Sequence, residues 1–304
     1  MMLEQKISGK VVNMKIDSRC PACLLSRVQY EAELSTDDKE LIHRTVKESL
    51  KVLNSTYAPG VPAGYVSTAV HRKAYEVLED TDPYRKLKEL SNRTAMSVME
   101  IANSYIYRGN PDNEELFRRA VLSSVIGNTF DFGVMGFDVA ADTFDSTFSQ
   151  LFEKGLDIDD TSHMIEMLDD VVYVVDNCGE ILFDMIVFDT IKKIGGNITL
   201  VVRGGPMLTD VTMTDVNEFK IDKKVDKILT TGSNAVGVCF DEAPPELLRS
   251  FDRASLVISK GMANYETISE SDVKPVAYLL RTKCKSVAED LNVDTDLSIA
   301  KLIK

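Results

Sequence analysis

Beyond about residue 166 the apolar pattern changes from the three-to-four spacing of helices to short β-branched runs alternating with helical stretches. This alternation constrains the fold more than any other feature of the chain. The runs are 171–175, 198–202, 227–230, 256–259 and 276–280, and a helical pattern follows the first as far as about Ile194. Strands separated by helices predict a parallel sheet with right-handed crossovers and helices on both faces. Between about residues 20 and 165 the pattern is helical instead. Ile42, Val46, Leu50 and Leu53 form one stripe behind Thr36, the expected N-cap, with Asp37 and Asp38 in the first turn. A turn-rich loop at 59–64 precedes a helix at about 66–79, and Asp82-Pro83 then offers a cap followed by proline at the first helical position. Leu87, Leu90, Val98, Ile101 and Tyr105 carry the next stripe, and a further helix at about 113–126 stops at Gly127. The expected architecture is α/β: an N-terminal all-helical lobe, 1–165, whose residues 1–13 are a flexible extension, followed by a doubly wound, mostly parallel α/β domain, 166–304.

Composition narrows the partners. With 44% hydrophobic and 27% charged residues, 16 Gly and 9 Pro, the chain is neither disordered nor fibrous. Lys plus Arg 35 against Asp plus Glu 48 leaves a net charge of −13, which repels a phosphate backbone, so nucleic acid is not an expected partner. Apolar runs are strand-length rather than the roughly 18 residues of a membrane span, and residues 1–15 lack the apolar centre and cleavage site of a secretory signal. A cytoplasmic protein without membrane partners is expected. Five cysteines, at 20, 23, 178, 239 and 284, are odd in number and thinly spread, which suits thiols or ligands rather than a disulfide framework.

In an open parallel sheet ligands bind beyond the carboxyl ends of the strands. The first strand runs into Asp176-Asn177-Cys178-Gly179-Glu180 ahead of an amphipathic helix. Asp176 is placed at the strand tip, and the N–H groups near Gly179 and Glu180 open a helix whose positive end suits an anion. The next strand ends in Arg203-Gly204-Gly205-Pro206 and leads to Asp210. Two acids and an amide make a hard-oxygen site suited to Mg²⁺ or Mn²⁺, while the alternative for Asp176-Asn177 taken alone is a turn former or helix cap. Lys260, Gly261 and Asn264 follow another strand as a phosphate grip, against the alternative of a solvated lysine ahead of a helix cap. Arg281-Thr282-Lys283-Cys284 adds cations to the same edge. Dinucleotide, P-loop, H-E-x-x-H and G-x-S-x-G motifs are absent. Cys20 and Cys23, at a helix start, suit a soft metal with Cys284 as third ligand, a redox couple, or plain packing. His43, His71 and His163 stand singly, which fits surface or core placement.

Several motifs, weak alone, are specific in their order: Cys20-Pro21-Ala22-Cys23, Asp82-Pro83-Tyr84, Gly127-Asn128-Thr129-Phe130-Asp131-Phe132-Gly133, Asp176-Asn177-x-Gly179-Glu180, Arg203-Gly204-Gly205-Pro206 with Asp210-Val211-Thr212, Lys260-Gly261-x-x-Asn264-Tyr265-Glu266-Thr267, and Lys283-Cys284. Over residues 14–293 the chain resembles the metal-dependent damage-control phosphatases, domain of unknown function 89, in their prokaryotic and archaeal Cys-x-x-Cys branch. The resemblance implies a divalent cation, Mg, Mn, Co or Ni, held by Asp176, Asn177 and Asp210. It also implies hydrolysis of small phosphorylated metabolites such as sugar phosphates. Lys260, Asn264 and Lys283 would contact the substrate, with Lys285 as the alternative register, beside Gly179 and Glu180 at the helix start. Asn128 and Asp131 would close the cleft from the helical lobe, and Asp176 would act as a ligand rather than a nucleophile. Two competing readings are a carboxyl methyltransferase using an adenosyl cofactor, weakened by the missing glycine-rich loop, and a non-catalytic sensor of a sugar phosphate or nucleotide.

Overall fold

The computed structural model describes residues 14–128 and 141–304. Six helices come first: α1 (Cys20–Ser35), α2 (Lys39–Thr56), α3 (Ala63–Leu78), α4 (Arg85–Ile106), α5 (Asn113–Gly127) and α6 (Ala141–Lys154). A two-residue strand β1 (Ile158–Asp159) and the short α7 (Thr161–Met164) lead into alternating elements. These are β2 (Asp170–Val174), α8 (Ile181–Ile194), β3 (Asn197–Val202), α9 (Met213–Phe219), β4 (Lys227–Thr230) and α10 (Pro245–Arg253). The chain continues through β5 (Leu256–Lys260), α11 (Gly261–Ile268), β6 (Val276–Arg281), α12 (Lys285–Leu291) and β7 (Ser298–Ile303).

The sheet order is β1-β7-β6-β5-β2-β3-β4. From β6 to β4 every neighbouring pair is parallel. The winding runs outward from β2 through β3 to β4, then returns to place β5 on the other side of β2. That reversal opens a crevice beyond the carboxyl ends of β2 and β5, where an open α/β sheet binds its ligands. The expected doubly wound, mostly parallel sheet is therefore the one observed, and its five expected strands appear within one or two residues. The edge differs: β7 pairs antiparallel to β6, and β1 pairs parallel to β7.

Local signals explain most helix ends and correct two. The cap of α2 is Asp38, whose Oδ1 accepts the N–H groups of Glu40 at 2.9 Å and Leu41 at 3.3 Å, while Thr36 Oγ1 accepts the N–H of Asp38 at 3.1 Å. The aspartate thus starts the helix and the threonine sets the turn before it. Asp82 does not cap α4; its carboxylate takes the Lys88 ammonium at 2.6 Å, and the helix starts at Arg85. α5 ends on Gly127 as expected.

Strand alternation sorts the core. Val171 and Tyr173 of β2, and Val175 just after it, face one layer, with Val98 of α4, Phe117 and Val121 of α5, and Phe144 and Phe148 of α6. Val172 and Val174 face the other, with Val28 of α1 and Val66, Val70 and Ala74 of α3. The helical half thus shares both apolar layers with the sheet. Among the described residues no helix is long and apolar enough to cross a membrane.

Candidate active site

Asp176 stands two residues past the end of β2, and the chain turns into α8 through Gly179, whose φ of +77° favours glycine. Asp176 is tied to Asp210 through the backbone: its carbonyl accepts the Val211 N–H at 2.9 Å, and Asn177 forms an antiparallel bridge with Asp210. Both carboxylates are buried. Burial, then repulsion from Asp210 and Glu180, pushes the Asp176 carboxyl well above the ordinary carboxylate range. Burial also raises Asp210, against the pull of the Arg203 guanidinium that pairs with it. The Asn177 amide nitrogen donates to Asp176 Oδ2 at 2.7 Å and Glu180 Oε2 at 3.2 Å, and its Oδ1 accepts the Thr209 hydroxyl at 2.7 Å. From the end of α5, Asn128 donates to Asp176 Oδ2 at 3.3 Å and to Glu180 Oε2 at 2.7 Å.

The end of β5 is built differently from the sequence expectation. Lys260 is fully buried and lies behind the cavity rather than along it. Its ammonium pairs with Glu180 and, at 2.7 Å, with Asp184 Oδ1, which also accepts Ser124 Oγ at 2.6 Å and the Tyr173 hydroxyl at 2.8 Å. Burial works against the charge on Lys260, but Asp184 and Glu180 outweigh it and hold the ammonium protonated above its usual range. Gly261 carries a φ of +72°, and a Cβ there would meet Asp176 Oδ2 at 1.8 Å, so this glycine admits a carboxylate of the protein itself. Asn264 donates to the carbonyls of Val175 at 2.9 Å and Lys260 at 2.7 Å, and accepts from Arg203 at 2.8 Å. It joins three strand ends. Gly179 gives its N–H to Asn92 Oδ1 of α4 at 2.8 Å, so that amide is already bound.

A cavity of about 310 Å³ opens over this cluster. Asn128, Asp176, Asn177, Thr209 and Asp210 are part of its lining. Lys283, in the turn from β6 to α12, and Lys285, the first residue of α12, bring cations to it. Cys20, Cys23 and Cys284 line it as free thiols, and burial pushes the Cys20 thiol up. Glu266, also lining it, is pushed up to about 7 by burial. Asp131 lies outside the described residues. Sequence reasoning did not anticipate Asp184, Thr209 or His71 at or behind this site. For Asp184 a signal existed, since it stands four residues after Glu180 and so shares its face on an otherwise apolar helix.

Among the described residues no three His, Cys, Asp or Glu side chains are grouped to hold a metal ion. The candidate donor set at the crevice is two carboxylates and one carboxamide. Asp176 and Asp210 bring two acids together in a buried place, of which Arg203 pairs directly with Asp210, and these hard oxygens suit Mg²⁺ or Mn²⁺. The residues fit such an ion.

A doubly wound sheet with acids and an amide at its switch point, covered by a helical half, defines an α/β enzyme scaffold. The chain belongs to the damage-control phosphatases: residues 16–299 match the family described as Damage-control phosphatase ARMT1-like domain. A damage-control phosphatase of Archaeoglobus fulgidus is 40% identical over 292 residues, covering 96% of this chain and all of the relative. Another from Pyrococcus horikoshii is 28% identical over 284 residues, covering 92% of this chain and 95% of the relative. A crystal structure of a DUF89 family protein from Pyrococcus horikoshii superimposes with a TM-score of 0.86 at 27% identity, over 96% of this chain and 100% of that one. Family membership makes the chain a phosphatase, a hydrolase of phosphate esters.

Proposed function

We propose that the protein is a metal-dependent phosphomonoesterase acting on small phosphorylated metabolites such as sugar phosphates. The observation that carries this reading is the meeting of Asp176, Asn177 and Asp210 in one cavity with Lys283 and Lys285. At about 310 Å³ the cavity is at the small end of ligand sites, which favours a metabolite over a macromolecule. Asp176, Asn177 and Asp210 would hold Mg, Mn, Co or Ni, and a bound ion supplies Lewis-acid polarisation and an activated water. Lys283 and Lys285 offset charge on the phosphate, and the Asn128 amide orients Asp176 from the helical side. Lys260, Glu180, Asn264 and Gly179 act as positioning residues behind them. Cys20, Cys23 and Cys284 belong to the same cavity wall, and free thiols accord with a reducing, cytoplasmic setting.

The test is phosphate release by metal-stripped protein from p-nitrophenyl phosphate and a panel of sugar phosphates, with each of the four ions added back. Release that depends on the ion and disappears in Asp176→Asn is the expected result. Turnover indifferent to both would overturn the assignment. Binding of S-adenosylmethionine with no phosphate release would favour the methyltransferase reading instead.

A further inference from the structure

His71 is buried, yet it lines the cavity that holds Asp176 and Asp210. It comes from α3, whose Ala63, Ser67 and His71 recur every four residues and present one face to that cavity. The same helix is docked onto the loop that carries Asp210. One turn beyond His71, the Tyr75 hydroxyl accepts the N–H of Leu208, two residues before Asp210, at 3.0 Å, and Thr68 Oγ1 accepts the N–H of Val236 at 3.0 Å. The imidazole is therefore set on a rigid wall beside the acid cluster.

Behind it, on α1, stands Glu31, with no exposure to solvent. Its Oε1 lies 2.7 Å from His71 Nδ1; the Tyr84 hydroxyl approaches the same oxygen only to 3.5 Å, and Oε2 has no partner. A carboxylate at such depth needs a compensating neighbour, and the contact with the imidazole turns Nδ1 toward Glu31 and leaves Nε2 as the outer nitrogen. Among the described residues Nε2 makes no hydrogen bond, so it is the ring nitrogen left for a ligand in the cavity.

We infer that His71, backed by Glu31, is the general acid that protonates the leaving-group oxygen of the substrate, an inference that rests on the phosphatase reading above. The bond from phosphorus to the ester oxygen breaks, and its electron pair stays on that oxygen, which takes the proton from Nε2. Water forms the new bond to phosphorus, keeps one hydrogen as the phosphate hydroxyl and releases the other to solvent. The His71 and Glu31 pair, left one proton short, recovers it from solvent after the alcohol departs. The substrate class that needs this group is an alkyl phosphate, whose alkoxide is a poor leaving group; p-nitrophenolate leaves without help.

The test compares kcat/KM for glucose 6-phosphate and p-nitrophenyl phosphate in wild type, His71→Asn and Glu31→Gln. The alkyl ester is expected to lose about 100-fold in His71→Asn, within the usual range for a general acid, and the alkyl-to-aryl ratio to fall at least about tenfold. Glu31→Gln moves the ratio in the same direction by a smaller factor. An unchanged ratio in both variants, with a wild type active on both esters, overturns the inference alone. A wild type inert on both esters with all four ions overturns the phosphatase reading and this inference with it. Should the variants fail to fold, the wild type still decides: a solvent deuterium effect on kcat larger for the alkyl ester supports proton donation, and equal effects overturn it.

Discussion

Gly261 lies so close to the Asp176 carboxylate that a methyl group on its α-carbon would stand 1.8 Å from Oδ2. The acid at the end of β2 is thereby fixed from below by the backbone at the end of β5, the two strands that flank the switch point. Gly261→Ala must displace that carboxylate and strain a φ of +72°. The variant is expected to lose at least about 2 kcal/mol of stability in urea unfolding and to bind Mn²⁺ more weakly. Unchanged metal titration would show that Asp176 is not held by this contact.

The two acids differ in their surroundings, and so do their amides as variants. Asp176 is raised well above the usual range by burial and by Asp210 and Glu180, so ionising it in the folded state costs stability as pH rises through its folded pKa. Asp176→Asn removes that penalty, and the metal-free variant is expected to melt no lower than wild type at pH 7 while losing activity at least about 100-fold. Asp210→Asn instead leaves Arg203 buried without its carboxylate. That variant is expected to lose about 3–5 kcal/mol as well as activity. Thermal melts of the two variants side by side check the contrast.

Lys260 has the chemistry of a phosphate grip and the location of a core residue. Lys260→Met leaves Glu180 and Asp184 as unpaired buried carboxylates and is expected to destabilise the protein by about 3–5 kcal/mol. A variant of wild-type stability that lost only substrate affinity would return the lysine to the substrate.

Glu266 gives a pH signature. Its folded pKa of about 7 stands above the ordinary 4.5, so between these values the folded state holds a proton that the unfolded chain has released. The favourable term is complete below pH 4.5 and is lost as pH rises through 7. The side chain is half-buried, so the loss is on the order of 1 kcal/mol rather than the full value of the shift. Denaturation curves from pH 4 to 8 should show wild type falling relative to Glu266→Gln across that window.

The strands of the sheet interior were legible because residues buried on both faces must be apolar and favour β-branched types, as in 171–175 and 256–259. The edge strand β7 escaped because Lys301 interrupts its apolar run and its pairing is antiparallel, outside the rhythm of the parallel strands. At the crevice, position along the strand placed Asp176, Asn177 and Asp210 on neighbouring strand ends. The fate of Lys260 was not legible. Its partners stand 80 and 76 residues away, and a strand-end lysine reads the same whether it turns outward to a ligand or inward to two acids. His71 was hidden similarly, since Glu31 lies on another helix and no local spacing announces the pair.

β2 packs Val171 and Tyr173 against α4, α5 and α6, and Val172 and Val174 against α1 and α3. Each half of the chain is therefore the solvent shield of the other, and neither has a finished interior alone. A gene divided in the link between α6 and β1 would yield two polypeptides that gain catalysis only by assembling. Phosphate release would then rise with the product of their concentrations, making the divided enzyme a reporter of whether two fused partners meet.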